Sequence, residues 1–345
     1  MAYISFQPND YFNTKLYTGT GAENAVTGVG FQPDWTWIKN ASSGSNYDHT
    51  LYDAVRGATK QLYSNQTNGQ YTEAQGLKSF DSDGFTNGTD AKGNSNGSTL
   101  VSWNWKANGQ GSSNTDGTIN TTYTSANTTS GFSISQYTGT GSAATIGHGL
   151  GAVPKMIIVK RTNTTGGWTV YHSSVGNTKY LYLNTTAAED TASSIWNNTS
   201  PTSSVFTVGT DGEVNGSGST YIAYCFAEKK GFSKFGSYTG NSSTDGTFVY
   251  TGFKPAFLIQ KRSDTTANWN LYDNKRSTSG GSNVIDDLFY VDASNAEVSH
   301  TSVDFLSNGF KFRSSDGAIN TGANIYMAFA EEPLVSSNGV AATAR

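Results

Sequence analysis

The segment PKMIIVK, residues 154–160, places four consecutive apolar residues between Pro-Lys and a second lysine. A short apolar run rich in β-branched residues predicts a strand that is buried on both faces. The same Pro-x5-Lys pattern occurs twice more, as PDWTWIK at 33–39 and as PAFLIQK at 255–261. The sequence therefore predicts three equivalent central strands, one in each third of the chain.

Three further landmarks accompany each of these strands in the same order. A Tyr-Thr-Gly motif comes first, beginning at Tyr17, Tyr137 and Tyr238. A short segment with a tyrosine follows the strand, at Tyr52, Tyr171 and Tyr272. A second strand-like segment closes each set and aligns Trp105, Phe226 and Phe329. Equivalent landmarks lie about 120 and then about 101 residues apart, a regularity that composition alone does not produce.

These landmarks divide the chain into three β units in tandem. We predict unit one at 1–107, a linker or arm at 108–130, unit two at 131–229, unit three at 230–334 and a C-terminal tail at 335–345. Asn-Gly and Asp-Gly pairs are frequent, and they favour tight turns between antiparallel strands. The predicted fold is therefore all-β, with three tandem jelly-roll-like β-sandwich repeats. The best helix candidate is the segment TEAQGLKSF, which begins at Thr72.

The two junctions between the units differ in length and composition. The segment 108–130 is rich in Ser, Thr, Asn and Gly, and its large apolar residues are Ile119 and Tyr123. It fits a flexible linker or an arm lying on a neighbouring surface, and its composition favours the linker. Units two and three meet through Lys229-Lys230, and so short a junction predicts that they form a rigid pair.

Composition argues against several classes of protein. The net charge is −4 and no run of Lys or Arg exceeds a pair, so we expect no nucleic-acid partner. No apolar run approaches the roughly 20 residues that span a bilayer, so we expect no membrane insertion. The N-terminal sequence lacks the features of a signal peptide. Cys225 is the only cysteine, which excludes an intrachain disulfide and a Cys-based zinc site.

The residue types that most often carry catalysis show no catalytic pattern. The chain has four histidines, at His49, His148, His172 and His300. None has a second histidine at the spacing typical of metal ligands, and His49 aligns with Trp168 and Trp269, which indicates a packing position. Cys225 lies in an apolar strand and aligns with Asn104 and Ala328, so we interpret it as a small core residue. We predict no catalytic residue, no metal site and no cofactor.

Acidic residues give two weaker alternatives. The segment FDSDGFTNGTD at 80–90 has the alternating oxygens of a calcium loop. The equivalent FLSNGF at 305–310 keeps the Gly turn between aromatics but lacks counterparts of Asp81 and Asp83, which favours a structural turn. Hydrolysis of glycans by a pair of carboxylates stays a minor hypothesis, because Asp and Glu are sparse and lie mostly at turns.

Aromatic residues without counterparts in the other units are the candidate contact residues. Three of them stand out, namely Tyr71, Tyr123 and Trp196. Trp196 lies in the polar segment SSIWNNTSP, where a large ring needs something to contact. Such rings can stack on sugars or anchor a subunit interface, and we favour the interface.

The repeated motifs resemble a known family. The matching residues are Gly252-Phe253-Lys254-Pro255, Lys261-Arg262, the stretch 221–241 and the opening MAYISFQPNDYFNTKLYTGTG at 1–21. Over essentially the whole chain the sequence resembles tail-associated and other virion structural proteins of marine bacteriophages of the T7-like cyanophage type. These motifs are structural, and the resemblance supplies no catalytic residues.

The resemblance implies a non-enzymatic virion structural protein that assembles in the host cytoplasm. We expect a tail fibre or receptor-binding component that contacts the host surface, with a host-surface glycan as a possible partner. The alternative is a capsid decoration or tail-ring protein without receptor binding. Both imply other virion proteins as partners and a homo-oligomer. Unit one is the most diverged, so we expect it to dock to the virion while the other two units project.

Overall fold

The computed structural model describes residues 7–42, 44, 46–277 and 283–333. Strands account for 46% of the chain and helices for 5%, so the predicted all-β class is confirmed. The helices are a 3-10 helix at Pro8–Asp10 and three single turns, α1 (Ala91–Asn94), α2 (Ser193–Trp196) and α3 (Gly212–Asn215). The helix predicted from Thr72 is wrong, because this segment forms a turn and then a strand. Gly76 lies in the middle of this segment, where glycine disfavours a helix, and it packs so closely that a Cβ atom would lie 2.4 Å from the Tyr52 hydroxyl.

Strands follow one another closely in all three units. Unit one contains β1 (Phe12–Thr18), β2 (Asn24–Thr27), β3 (Trp35–Asn40), β4 (Thr50–Asp53), β5 (Lys60–Tyr63), β6 (Tyr71–Thr72), β7 (Leu77–Asp81), β8 (Gly84–Asn87) and β9 (Thr99–Trp105). The next stretch contains β10 (Tyr123–Asn127), β11 (Phe132–Thr138), β12 (Ala144–Gly147), β13 (Met156–Arg161), β14 (Trp168–His172), β15 (Lys179–Tyr182), β16 (Asp190–Thr191), β17 (Val205–Val208) and β18 (Thr220–Phe226). Unit three contains β19 (Ser233–Asn241), β20 (Phe248–Tyr250), β21 (Phe253–Arg262), β22 (Trp269–Asp273), β23 (Val284–Tyr290), β24 (Val298–Leu306), β25 (Gly309–Phe312) and β26 (Thr321–Pro333).

Each unit builds one large antiparallel sheet with a matching strand order. The orders are β1-β9-β3-β4-β5-β6, then β10-β11-β18-β13-β14-β15-β16, then β19-β26-β21-β22-β23-β24-β25-β20. In all three, the Pro-x5-Lys strand pairs with the closing strand of its unit. A small sheet, β2-β8-β7 in unit one and β12-β17 in unit two, packs on the outer face. In unit three the long strand β24 joins the corresponding strands to the large sheet.

One hydrophobic core joins the inner faces of the three large sheets. It contains six of the seven tryptophans, among them Trp35, Trp105, Trp168 and Trp269, together with Phe226, Phe257 and Phe329. The strand PKMIIVK explains why its residues are apolar throughout. Met156 and Ile158 face this central core, whereas Ile157 and Val159 face the outer core of unit two. Burial on both faces is therefore confirmed for this strand. The neighbouring units cover the face that carries Met156 and Ile158.

Hydrogen bonds between the units close the three sheets into a ring. Each donor lies at the start of the strand that follows the Pro-x5-Lys strand, or just before it, and each acceptor is a tyrosine carbonyl in an adjoining unit. The pairs are Trp168 Nε1 to Tyr63 O (2.8 Å), Trp269 Nε1 to Tyr182 O (3.0 Å) and His49 Nε2 to Tyr290 O (3.1 Å). His49 can serve as a donor because its Nδ1 accepts from Trp37 Nε1 at 2.9 Å, which leaves the hydrogen on Nε2. Unit three thus bonds unit two, unit two bonds unit one, and unit one bonds unit three.

The lysine that ends each Pro-x5-Lys segment also bonds from one unit to the next around the ring. The ammonium groups donate across the unit boundaries in the pairs Lys160 to Thr67 O (2.9 Å), Lys261 to Thr186 O (3.1 Å) and Lys39 to Ser294 O (2.9 Å). Burial lowers the pKa of each of the three lysines to about 8. The Pro-x5-Lys pattern therefore records a contact between units as well as a strand.

The segment 108–130 lies along unit two as an arm. Its last part forms β10, which pairs with β11 at the edge of the large sheet. Further back, Ile119 aligns with Ile146 of β12, and the Ile119 N–H donates to Thr145 O at 3.0 Å. At the other junction, Lys229 N donates to Ser233 Oγ at 3.0 Å, and Phe232 enters the central core.

Candidate functional site

A turn with the pattern Asp-x3-Asn lies at the outer side of every unit, at 90–94, 211–215 and 316–320. Its asparagine is buried and fastens the turn to the sheet. Asn215, for example, accepts from Thr140 N at 2.9 Å and donates to Gly209 O at 2.7 Å. The tyrosine of each Tyr-Thr-Gly motif donates to the carbonyl before the asparagine, in the pairs Tyr17–Gly93, Tyr137–Val214 and Tyr238–Ile319. The three turns are therefore held alike, and the residue two places after the aspartate is free to vary.

In unit three this turn borders a groove that opens to solvent. The groove has a volume of about 60 Å³, and apolar side chains of Leu288, Ala318 and Ile319 form part of its lining. Its polar and aromatic lining consists of Asn268, Asn270, Tyr272, Tyr290, His300 and Asp316. His300 and Asp316 are exposed, whereas Asn270 and Tyr272 are buried. Aromatic rings beside amides and a carboxylate suit a small ligand that carries hydroxyl groups.

Unit one fills the equivalent space with its own side chains. Lys92 takes the place of Ala318, and its ammonium lies 5.7 Å from the centre of the Tyr63 ring. Gln61 takes the place of Leu288, and it donates to the Tyr52 hydroxyl and, at 3.0 Å, to Asp90 Oδ2. The polar groups of this turn are thus satisfied within the chain.

Unit two fills the same space differently. Glu213 stands where unit three has Ala318, and its carboxylate accepts from the backbone N–H of Gly167, the counterpart of Asn268. Tyr180 replaces Leu288, and its ring lies 5.2 Å from that of Tyr182. The groove of unit three therefore arises from two small or apolar replacements on an unchanged backbone pattern.

The electrostatics of the groove are set by two carboxylates, those of the exposed Asp316 and the half-buried Asp292. Burial and the nearby Asp316 and Asp292 raise the pKa of Tyr290, so its phenol stays protonated and can donate. Burial also raises the pKa of Asp292, which accepts from Asn268 Nδ2 at 3.0 Å. The groove consequently offers acceptors and neutral donors at an acidic wall, which disfavours an anionic ligand.

The three aromatic candidates occupy three different environments. Tyr71 is 43% exposed and lies 5.5 Å from Tyr63, so a surface contact there stays a prediction. Tyr123 is half-buried on β10 and packs against the central core. Trp196 as a surface contact is wrong, because it is 2% exposed and packs 5.9 Å from the Tyr171 ring in the outer core of unit two. The polar residues around Trp196 form a turn that directs its side chain into this core.

The cysteine and the histidines have structural surroundings. Cys225 is buried in the outer core of unit two, as its position predicts, and burial raises the pKa of its thiol. Burial lowers the pKa of His172 to about 4, and its Nε2 donates to Tyr326 O at 3.2 Å. Burial likewise lowers the pKa of His49 and of His148. These three rings are neutral at physiological pH.

The carboxylates of the candidate calcium loop are engaged by the chain. Asp83 accepts from the backbone N–H groups of Gly30 (2.7 Å) and Gly28 (2.9 Å). Asp81 accepts from Ser79 (2.8 Å) and Thr86 (2.7 Å). These bonds explain both residues as parts of a turn. Within the described ranges, no three His, Cys, Asp or Glu side chains cluster in a way that could hold a metal ion.

Three β units packed around one core, with a groove beside the outer turn of the third, define an all-β protein with a candidate surface site. The chain matches over residues 7–333 the family described as a domain of unknown function (DUF7483), and it belongs to that family. No curated protein and no solved structure matches it. In the part of the chain that the structure describes, no helix has the length and apolar character needed to cross a membrane.

Proposed function

We propose that the chain is a non-enzymatic structural protein of a bacteriophage virion, a tail fibre or receptor-binding component that contacts the host surface. The observation that carries the proposal is the groove of unit three, where Ala318 and Leu288 leave open a space that the other units fill. Of the residues that line it, Asp316 alone has a carboxylate. Hydrolysis of glycans generally needs two, about 5–10 Å apart, so this lining supports binding rather than catalysis.

The closed ring suits such a role. Because the three units share one core, the groove rests on a body braced on all sides rather than on a hinged domain. In this proposal unit one docks to other virion proteins, the chain assembles as a homo-oligomer in the host cytoplasm, and the groove of unit three faces outward.

A capsid decoration or tail-ring protein is the second candidate, and the edge strand β20 favours it. Phe248 and Tyr250 on this strand are 44% and 57% exposed, and β20 pairs with β25 alone. The equivalent edge of unit two, β12, is covered by the arm at Ile119. An edge strand with exposed aromatic rings favours contact with another polypeptide.

Cryo-electron microscopy of the intact particle distinguishes the two candidates. The receptor-binding proposal expects a small number of copies at the tail, with unit three pointing away from the particle. Hundreds of copies on the head would overturn it in favour of the decoration protein. Release of sugar from host polysaccharide by the purified protein, abolished by Asp316→Asn, would overturn the non-enzymatic part of the proposal.

A further inference from the structure

Units one and two each contain a filled counterpart of the groove of unit three. The backbone that surrounds it is fixed in all three units by an equivalent buried asparagine and an equivalent tyrosine hydroxyl. The side chains that occupy units one and two therefore show which chemical groups the space accepts.

Two kinds of group occupy the filled grooves. In unit one a hydrogen-bond donor, the Lys92 ammonium, lies above the tyrosine ring and 3.6 Å from Asp90. In unit two an acceptor, the Glu213 carboxylate, binds the backbone N–H at the position of Asn268. A ligand of the third groove must therefore offer a donor toward Tyr290 and Asp316, and an acceptor toward Asn268.

A hydroxyl group meets both requirements, because it donates one hydrogen bond and accepts two. The remaining lining suits an apolar surface next to the hydroxyls, since Leu288, Ala318 and Ile319 form part of it. Rings of sugars present both, with hydroxyls at the rim and C–H groups on a face that packs on aromatic side chains. The volume of about 60 Å³ holds about four waters, which fits one face of a single sugar ring.

The negative charge of the groove narrows the class of ligand further. Asp316 lies in the lining, and Asp292 lies behind Asn268 at 3.0 Å from its amide nitrogen. Uronic and sialic acids would bring a carboxylate next to these groups at a cost in binding free energy. We infer that the groove of unit three binds a single neutral monosaccharide residue at the end of a glycan. This inference rests on the proposed contact with the host surface and names the chemistry of that contact.

The test is to refill the groove with a side chain that the fold already accommodates. Ala318→Lys copies unit one, and Thr244→Lys adds the same charge at an exposed position outside the lining. Saturation-transfer NMR with the full chain measures binding of the methyl glycosides of glucose, galactose, mannose and N-acetylglucosamine, with methyl glucuronide as the anionic comparison. Circular dichroism and thermal melting check that both variants fold.

We expect at least one neutral glycoside to bind the wild-type chain. Its binding should weaken tenfold or more in Ala318→Lys, stay unchanged in Thr244→Lys, and exceed that of the glucuronide. Binding of none of the four glycosides, equal binding by the two variants, or preference for the glucuronide would overturn the inference.

Attachment of the labelled protein to host cells separates this inference from the proposed function. Attachment that survives Ala318→Lys overturns the groove as the site of host contact and leaves the receptor-binding proposal standing. Sugar binding without attachment keeps the sugar site and removes the host contact.

Discussion

Units one and three are alike at the centre of the molecule and different at its outer side. At the centre both carry a buried ion pair, Asp53–Arg56 and Asp273–Arg276, each with a separation of 2.6 Å. At the outer side, Lys92 covers a tyrosine ring in unit one, whereas Ala318 leaves the groove open in unit three. Central residues must fit two neighbouring units at once, but a residue of the outer turn has only its own unit and solvent as neighbours. Variation at the outer turn can therefore create a site without disturbing the fold.

Unit two shows what a change at the centre requires. Tyr224 donates to Asp53 at 2.7 Å and Trp103 donates to Asp273 at 3.1 Å. In unit two the residue equivalent to Asp53 and Asp273 is His172, which donates to the carbonyl of Tyr326. Val175 stands where the other two units have the arginine. Replacement of the aspartate is matched by replacement of its arginine, so no charge is left buried and unpaired.

The largest expected effect comes from breaking a central ion pair. Asp53→Ala leaves the Arg56 guanidinium buried without its carboxylate, which typically costs about 3–5 kcal/mol of the free energy of unfolding. The matched control is Lys78→Ala, whose partner Glu23 is 65% exposed and whose loss should cost less than about 1 kcal/mol. Urea denaturation measures both, and equal shifts would contradict the central role of the pair.

The second effect is a loss of stability in acid. Because burial holds the pKa of His172 at about 4, below pH 6.5 the unfolded chain binds a proton that the folded chain does not. This contribution is fully present above pH 6.5 and is lost as the pH falls toward 4, by about 2–3 kcal/mol at pH 4.5. His172→Gln keeps a donor for Tyr326 and removes the titration. Urea midpoints at pH 7 and pH 4.5 should differ less in the variant than in the wild type, and an unchanged difference would refute the assignment.

The third effect concerns the edge strand of unit three. If β20 joins copies of the chain, Tyr250→Lys should weaken self-association about tenfold, since a charge on an edge strand opposes pairing. Thr27→Lys is the matched control, because Thr27 occupies the same place on β2 of unit one. Sedimentation equilibrium measures both variants, and equal weakening by the control would assign the association to another surface.

The smallest effect is expected at the filled groove of unit one. Lys92→Ala removes an ammonium from the face of Tyr63 and should cost less than about 1 kcal/mol, as exposed cation–π contacts do. Urea denaturation checks this as well. A loss comparable to that of Asp53→Ala would show that the outer turn supports the fold and is not free to vary.

The sequence predicted the all-β class because four landmarks recur at regular offsets. It also predicted burial of PKMIIVK on both faces, but periodicity cannot say what covers the second face, which is the inner surface of the neighbouring units. Trp196 was misplaced because the polar residues around it form a turn whose direction depends on tertiary packing.

In the sequence, the groove shows only as a difference between the three units at one position of the repeated turn. The Asp-x3-Asn pattern recurs at 90–94, 211–215 and 316–320, and its varying position holds Lys92, Glu213 and Ala318. The sequence does not show that this position faces a space shared with Tyr290, because that space forms only when the turn packs onto β22 and β23. A search for variation inside a repeat, rather than for residues without counterparts, would have found it.

The most direct test is a crystal structure of the protein soaked in the neutral methyl glycoside that binds best. We expect sugar density in unit three, against Tyr290 and between Asn268 and Asp316, with none at the positions of Lys92 and Glu213. Density at all three equivalent positions, or at the β20 edge instead of the groove, would contradict it.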